Sequence, residues 1–418
     1  MNMNGKTTPA AAATSVVLLA TSAVLLAASP AAFAAGPMDF DPINGTPYGA
    51  ANISWQEPLV VPEGFCQTKV FDETDLDMYP GQNDLNDMNT VNETGPQAGR
   101  YLYSTKEVGS DGGLSVVHLK TGEVSEMIRG DDWSRLDGIR WTPWGTLLFA
   151  EETSGGRLFE AYLDPKDLTT VTKVEERREV GIMRHEGIEA TEDGTVYVID
   201  ELNGGSIYKF EPTKRGDLSE GQLYALKLDG LSDAEQKWNS DTFTDKAGSF
   251  EWVPLDMDQV VVDADTASNE VNATEFGRPE DVEVIGKTLY VNNTSEDRTV
   301  AIDLNEKRLS SYVLAGENVP AENRESGMTG FNNPDNLAQG PDGTLWIAED
   351  NFMSDIWVAE KDKNHDGQAD DVKQFASLVD SGAEISGIYF GKDPKTLFLS
   401  IQHPDKPLAD GVWKVTPC

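Results

Sequence analysis

The chain has 418 residues, with 33 Lys and Arg against 72 Asp and Glu and a formal net charge of −39. So acidic a surface repels nucleic acid and anionic lipid and attracts cations, which argues against nucleic-acid or membrane-surface partners. The length suits one large repeat domain or two ordinary ones.

Residues 1–35 carry a single charge, Lys6, followed by an apolar run from Ser15 to Ala28 and the small-x-small triplet Ala32-Phe33-Ala34. This pattern predicts a secretory signal peptide. A membrane anchor is the alternative, although the run is shorter than the ~20 residues that span a bilayer. Residues 36–418 are then an exported domain, periplasmic or outside the cell. Its two cysteines, Cys66 and Cys418, lie near its two ends. In an oxidising compartment they pair most simply as one disulfide; two free thiols are the alternative.

Downstream, one unit recurs: "LDGIRWTPWGTLLFAEETSGGRLFEAYL" from Leu136, "HEGIEATEDGTVYVIDELNGGSIYKFEP" from His185, "PEDVEVIGKTLYVNNTSEDRTVAIDL" from Pro279, "PDNLAQGPDGTLWIAEDNFMSDIWVAEKD" from Pro334 and "ISGIYFGKDPKTLFLSIQHPDKPLADGVWKV" from Ile385. Each reads as an apolar strand, a Gly or Asp turn, a Thr-led strand, a polar loop and a third strand. Asp137 and Glu186 lie 49 residues apart, Glu280 and Asp335 55, and Asp335 and Ser386 51, whereas Glu186 to Glu280 is 94. Four-stranded repeats at this period predict an all-β protein, a six-bladed β-propeller with seven blades as the alternative. Residues 99–124 supply a further blade. The long gap predicts an insertion or a degenerate blade around 213–277.

In a propeller, one repeat position of every innermost strand reaches one height in the central channel. Aligning the units brings Asp137, Glu186, Glu280 and Asp335, with Ser386, to one level. Five and six residues past the strand-opening Thr stand Glu151 and Glu152, Asp200 and Glu201, Asn293 and Thr294, and Glu349 and Asp350, with Gln402 and His403 in the last unit. So many carboxylates converge only if cations neutralise them, and oxygen ligands suit hard metals such as calcium or magnesium, with iron or manganese also open. Arg278, beside Pro279-Glu280, is a candidate two-pronged holder of phosphate or carboxylate, or else a structural ion pair. Arg184 and His185 are weaker candidates for the same work. Separately, Asp362, Asn364, Asp366 and Gly367 reproduce a calcium-loop start, with Asp370 or Asp371 to complete the shell. Its twelfth position is Lys373 rather than Glu, so this is not a full EF-hand.

The stretches "TPWGTLLFAEET", "RHEGIEATEDGTVYVIDE", "GRPEDVEV", "NPDNLAQGPDGTLWIAED" and "TLFLSIQHP" resemble the PhoX-type alkaline phosphatases, across roughly two thirds of the chain. The resemblance implies a secreted six-bladed propeller that hydrolyses phosphate monoesters with an iron and calcium cluster at the channel mouth. It implies metal ligands at Glu151, Glu186, Glu280 and Asp335, with Asp350 and Glu152 as looser matches. Arg278 and Glu280 become the catalytic pair, Arg278 contacting the phosphate. Family members carry a cysteine near the "TPWGT" strand where this chain has Ala150, so the resemblance implies calcium and leaves iron without its sulfur ligand. The rival readings are a sugar-lactone hydrolase with one divalent ion, and a non-catalytic, calcium-stabilised propeller that binds a partner.

Overall fold

The computed structural model describes residues 38–43, 54–239, 246–322, 330–350, 354–380 and 382–418, all within one compact unit, Gly36–Cys418. The expected leader, residues 1–35, lies outside the described residues. Regular structure is almost entirely antiparallel strand.

The strands form six four-stranded meanders among the described residues. Their innermost strands are Asn86–Val91, Leu136–Trp141, Ile188–Ala190, Pro279–Ile285, Pro334–Gln339 and Glu384–Phe390. Each packs against the next, and the last returns to the first, so the sequence forms a closed propeller ring. Period-two alternation explains the layers between units. In Leu147–Glu151, Leu147 and Phe149 join the apolar cluster toward the first unit, whereas Leu148 and Ala150 join the one toward the third. Clusters of this kind fill every junction around the ring. Burying one such Leu or Phe stabilises by roughly 1.5–3 kcal/mol, and the sum over these layers holds the units together.

The ring closes through both chain ends. Phe65–Asp72 is the outermost strand of the sixth unit and pairs with Gly411–Pro417, placing Cys66 opposite Thr416. Cys66 and Cys418 are disulfide-bonded across a sequence separation of 352. A closure that long removes at most about 5 kcal/mol of unfolded-state entropy. Leu59–Val60 similarly extends the fifth unit by pairing with Leu378 and Ser377.

The first unit starts earlier than residue 99. Its inner strand is Asn86–Val91, which carries Asp87 and pairs with Tyr101–Lys106. The described residues between 229 and 276 form no four-stranded sheet of their own. Gly248–Pro254 pairs with Asp217–Leu228 on one side and Arg308–Leu314 on the other, joining units three and four at their outer edges. The short helices Met257–Val260 and Ala264–Glu270 are capped by the Asp256 and Asp263 carboxylates. They press Val260, Ala264 and Ala267 into the cluster between units two and three.

Candidate metal centre and phosphate site

Near the start of each inner strand stand Asp87, Asp137, Glu280 and Asp335 at the second position, Ser386 at the third, and Glu186 two residues ahead of its strand. Five of the six inner strands break register at this point, between Asn86 and Asn89, Leu136 and Ile139, Pro279 and Val282, Pro334 and Leu337, and Ser386 and Tyr389. A β-bulge re-aims a side chain, and here the bulge falls at Asp87, Asp137, Glu280 and Asp335 and at Ser386, while Glu186 stands without one. The strands approach so closely that a Cβ at Gly138 would lie 1.8 Å from the Glu186 carbonyl oxygen. Only glycine fits there.

Within this ring, Glu186, Glu280 and Asp335 each offer an oxygen within 4.8 Å of the other two. Glu280 is 1% exposed and neither of its carboxylate oxygens has a hydrogen bond, although Oε1 lies 2.8 Å from Arg278 Nε. Asp137 Oδ1 is likewise buried without a hydrogen bond. Burial, then the negative charges of Glu280 and Asp335, push Glu186 well above the usual carboxylate range. Burial and Glu280 do the same to Asp335. Burial lifts Asp87 to about 7 against the Ser386 hydroxyl, which donates to its carboxylate. Buried, mutually repelling oxygens with open lone pairs are what a hard cation would satisfy.

Asn336 is a participant that the sequence reading missed. Its Nδ2 donates to Glu186 at 3.2 Å and to Asp335 at 3.1 Å, while its Oδ1 accepts from Gly387 N–H and the Ser386 hydroxyl. It therefore holds two of the three acids in position. Asp87 was missed because "LNDMNTV" lacks the Thr-led strand of the other units. Its signal was spacing, for Asp87 stands 50 residues before Asp137.

A second ring lies beside the first. The N–H groups of Glu107, Glu152, Glu201, Thr294 and Asp350 donate, at 2.8–3.0 Å, to the carbonyls of Leu85, Arg135, Arg184, Arg278 and Asn333, each two residues before a ring acid. The same bond in five units shows that these positions are equivalent. Arg278 Nε lies 2.9 Å from Glu201 Oε1, and its other arm is 2.9 Å from Asp350 Oδ2. Arg184 pairs with Glu152 and with Glu201, and Arg135 with Glu107. Burial, then Glu280, raise Glu201 to about 12, and burial, then Asp87 and Glu152, raise Glu107 to about 9.

Two expectations need correction. Glu151 is not among the converging ligands, because its carboxylate is closed off by the N–H groups of Ser134 and Arg157 and by the Arg157 guanidinium at 2.7 and 2.8 Å. Its neighbour Glu152 faces the channel instead, by strand alternation. Glu349, at the same position in the fifth unit, is similarly tied to Asn332 N–H and Trp357 Nε1. Ala150 lies in the apolar layer with Leu148 and Leu158, away from the acids. Asp350 sits in the second ring beside Arg278 rather than in the triad.

The remaining candidates are scattered. His185 is buried and held near a pKa of about 4 by burial, with Nε2 3.0 Å from the Gly181 carbonyl, so its ring is neutral and engaged there. His403 sits 3.5 Å from Glu384 at the mouth. In the acidic loop, Asp362 and Asn364 accept from Asp366 N–H, Asp362 also from Gly367 N–H, and Asp370 from Lys363 N–H. The loop therefore curls its side-chain oxygens inward.

A family model described as alkaline phosphatase PhoX matches residues 138–405. No curated protein matches the chain. Among solved structures, Pseudomonas fluorescens PhoX in complex with vanadate, a transition-state analogue, is 17% identical over 91% of this chain and 97% of that one, with a TM-score of 0.64. A gluconolactonase from Xanthomonas campestris is 12% identical over 90% and 98%, with a TM-score of 0.49, too distant to bear on the argument. A propeller ring whose bulged inner strands gather carboxylates, matched by that model over more than half its length, belongs to the PhoX alkaline phosphatase family.

Proposed function

We propose that the protein is an exported, metal-dependent phosphatase that hydrolyses small phosphate esters at the acid-lined mouth of the propeller channel, acting as a monomer without nucleic-acid or membrane partners. No helix among the described residues is long and apolar enough to cross a membrane. The observation that carries the reading is the convergence of Glu186, Glu280 and Asp335 within 4.8 Å, with Arg278 beside Glu280. The all-oxygen donor set, with Glu280 lacking hydrogen bonds, fits calcium. Both cysteines are in the disulfide, so the described residues offer no thiolate to iron.

Glu186, Glu280 and Asp335 would hold the cations, and Asn336 orients two of them. Bound there, cations supply Lewis-acid charge to a phosphate ester. Arg278, its guanidinium one third exposed at the mouth, holds phosphate oxygens by charge-assisted hydrogen bonds and keeps the ester in line. The loop at Asp362, Asn364, Asp366 and Asp370 is read as a separate structural calcium site. A sugar-lactone hydrolase would leave Arg278 and the second ring of acids without a role.

The test is hydrolysis of p-nitrophenyl phosphate by the exported protein, with calcium and iron supplied separately, beside Arg278→Ala and Glu280→Gln. Calcium-dependent turnover that both substitutions lower at least about a hundredfold is expected. No turnover with any metal would end the reading.

A further inference from the structure

Three successive units place an arginine at the same repeat position, two residues before the ring acid: Arg135, Arg184 and Arg278. The remaining units have Leu85, Asn333 and Glu384 there. We infer that Arg135 and Arg184 hold anions together with Arg278, and that the favoured substrate carries a second anionic group beside its phosphate ester. This deepens the phosphatase reading and rests on it.

The geometry comes first. Around the mouth the charges alternate: Arg135 lies 2.5 Å from Glu107 and 3.9 Å from Glu152, Arg184 pairs with Glu152 and lies 2.7 Å from Glu201, and Arg278 lies 2.9 Å from both Glu201 and Asp350. The guanidinium groups are the outer layer of this belt. Arg135, Arg184 and Arg278 side chains are 50, 32 and 33% exposed, whereas Glu107, Glu152 and Glu201 are 12, 9 and 1% exposed. The left-handed φ of 49 and 57° at Arg135 and Arg278 belongs to the repeat position, because Leu85 and Asn333 share it at 50 and 43°. A non-glycine residue holds that conformation at a cost, here so as to bring its carbonyl to the N–H of the second ring.

Charge logic follows. Of the acids beside these arginines, only Glu280 also belongs to the triad that would hold a cation. The guanidinium groups cannot deprotonate and keep their charge at the solvent-facing side of the belt. On a chain of net charge −39, an exposed cationic arc is where an anion docks. The arc covers only units two to four, and the same position in units five, six and one offers no positive charge. A phosphate at Arg278 therefore has two further anion holders on one side only. Substrates with a carboxylate or second phosphate on that side gain charge-assisted bonds that a simple monoester lacks.

The experiment titrates the full chain, supplied with calcium, with two unhydrolysable probes by calorimetry: methylphosphonate, with one anionic group, and phosphonoacetate, with two. Phosphonoacetate is expected to bind about tenfold more tightly, the worth of one added charge-assisted bond. The double variant Arg135→Gln/Arg184→Gln should abolish that difference, and Arg135→Lys/Arg184→Lys, which keeps the charge, should retain part of it. Thermal unfolding of both variants separates this from loss of fold. Equal binding of the two probes by the parent chain, or a difference that survives in the double Gln variant, overturns the inference. Probe discrimination without p-nitrophenyl phosphate hydrolysis would leave the arc standing and remove the phosphatase reading; hydrolysis without discrimination would do the reverse.

Discussion

The two ends of the channel solve the same problem in opposite ways. At the far end, three residues along each inner strand from the acid ring, Arg140 lies between Glu189 and Glu283, and the Tyr389 hydroxyl donates to Glu93. They line a cavity of about 730 Å³. At the near end, Asp87, Asp137, Glu186, Glu280 and Asp335 back onto Glu107, Glu152, Glu201 and Asp350, with three arginines among them. Both ends are buried and acid-rich. One sets a half-buried guanidinium between Glu189 and Glu283 and a phenol against Glu93; the other gathers Glu186, Glu280 and Asp335 within 4.8 Å, with Arg278 reaching Glu280. Clustered charge alone therefore does not mark a site; three carboxylates drawn within 4.8 Å of one another, with a guanidinium at only one of them, do.

The sharpest way to break the contrast is to neutralise one equivalent acid at each end. Glu280→Gln is expected to lower kcat on p-nitrophenyl phosphate at least about a hundredfold. Glu283→Gln, three residues on, should leave kcat within about threefold, since no transition-state contact is removed. A comparable loss in both would mean that the far end belongs to the reaction.

Next in size is Arg140→Met. It leaves Glu189 and Glu283 buried without their cation and should cost about 3–5 kcal/mol in denaturant unfolding. Added calcium should not restore that stability. If it does, the far end is a cation site as well.

Metal and pH separate the ends further. Asp87 keeps its proton up to about pH 7 and Glu107 up to about pH 9 in the folded chain. Both ionise near pH 4 when unfolded, about the ordinary carboxylate value. The folded state thus binds more protons across that window, so metal-free stability falls as pH rises through it. Calcium competes for the ionised carboxylates, and its stabilising effect should be larger at pH 8 than at pH 5, about 2.7 kcal/mol at a hundred times Kd. Thermal unfolding in chelator and in calcium at both pH values measures it; equal calcium shifts at the two values would contradict it.

The smallest expected effect is Asn336→Ala. Losing the amide that bonds both Glu186 and Asp335 should weaken calcium binding about tenfold while leaving the fold intact. An unchanged calcium affinity would reduce Asn336 to a packing residue.

Much of the architecture was legible because it repeats. Apolar strands opened by "GTLLF", "GTVYV", "KTLYV", "GTLWI" and "KTLFL" mark units two to six, at a steady period broken only by the long step between units three and four. The first unit was misread because Asn86–Val91 is a polar inner strand, whose Asn and Asp side chains make buried bonds to Ser400, Gly387 and Gln402 from the sixth unit. Those partners lie some 300 residues away, beyond any local pattern. The choice between Glu151 and Glu152 was equally out of reach, since adjacent acids differ only in which face of the pleat they occupy.

What the residues determined by themselves was an acid-rich chain of repeated β-units with carboxylates at fixed positions, because composition and period are properties of the chain. Tertiary structure alone decided which of those carboxylates meet. Ring closure through Phe65–Asp72 and Gly411–Pro417 brings six remote inner strands around one channel, and in four of them a bulge falls at the ring acid. Convergence of charge is a relation between distant segments, and its energy exists only when the ring has closed.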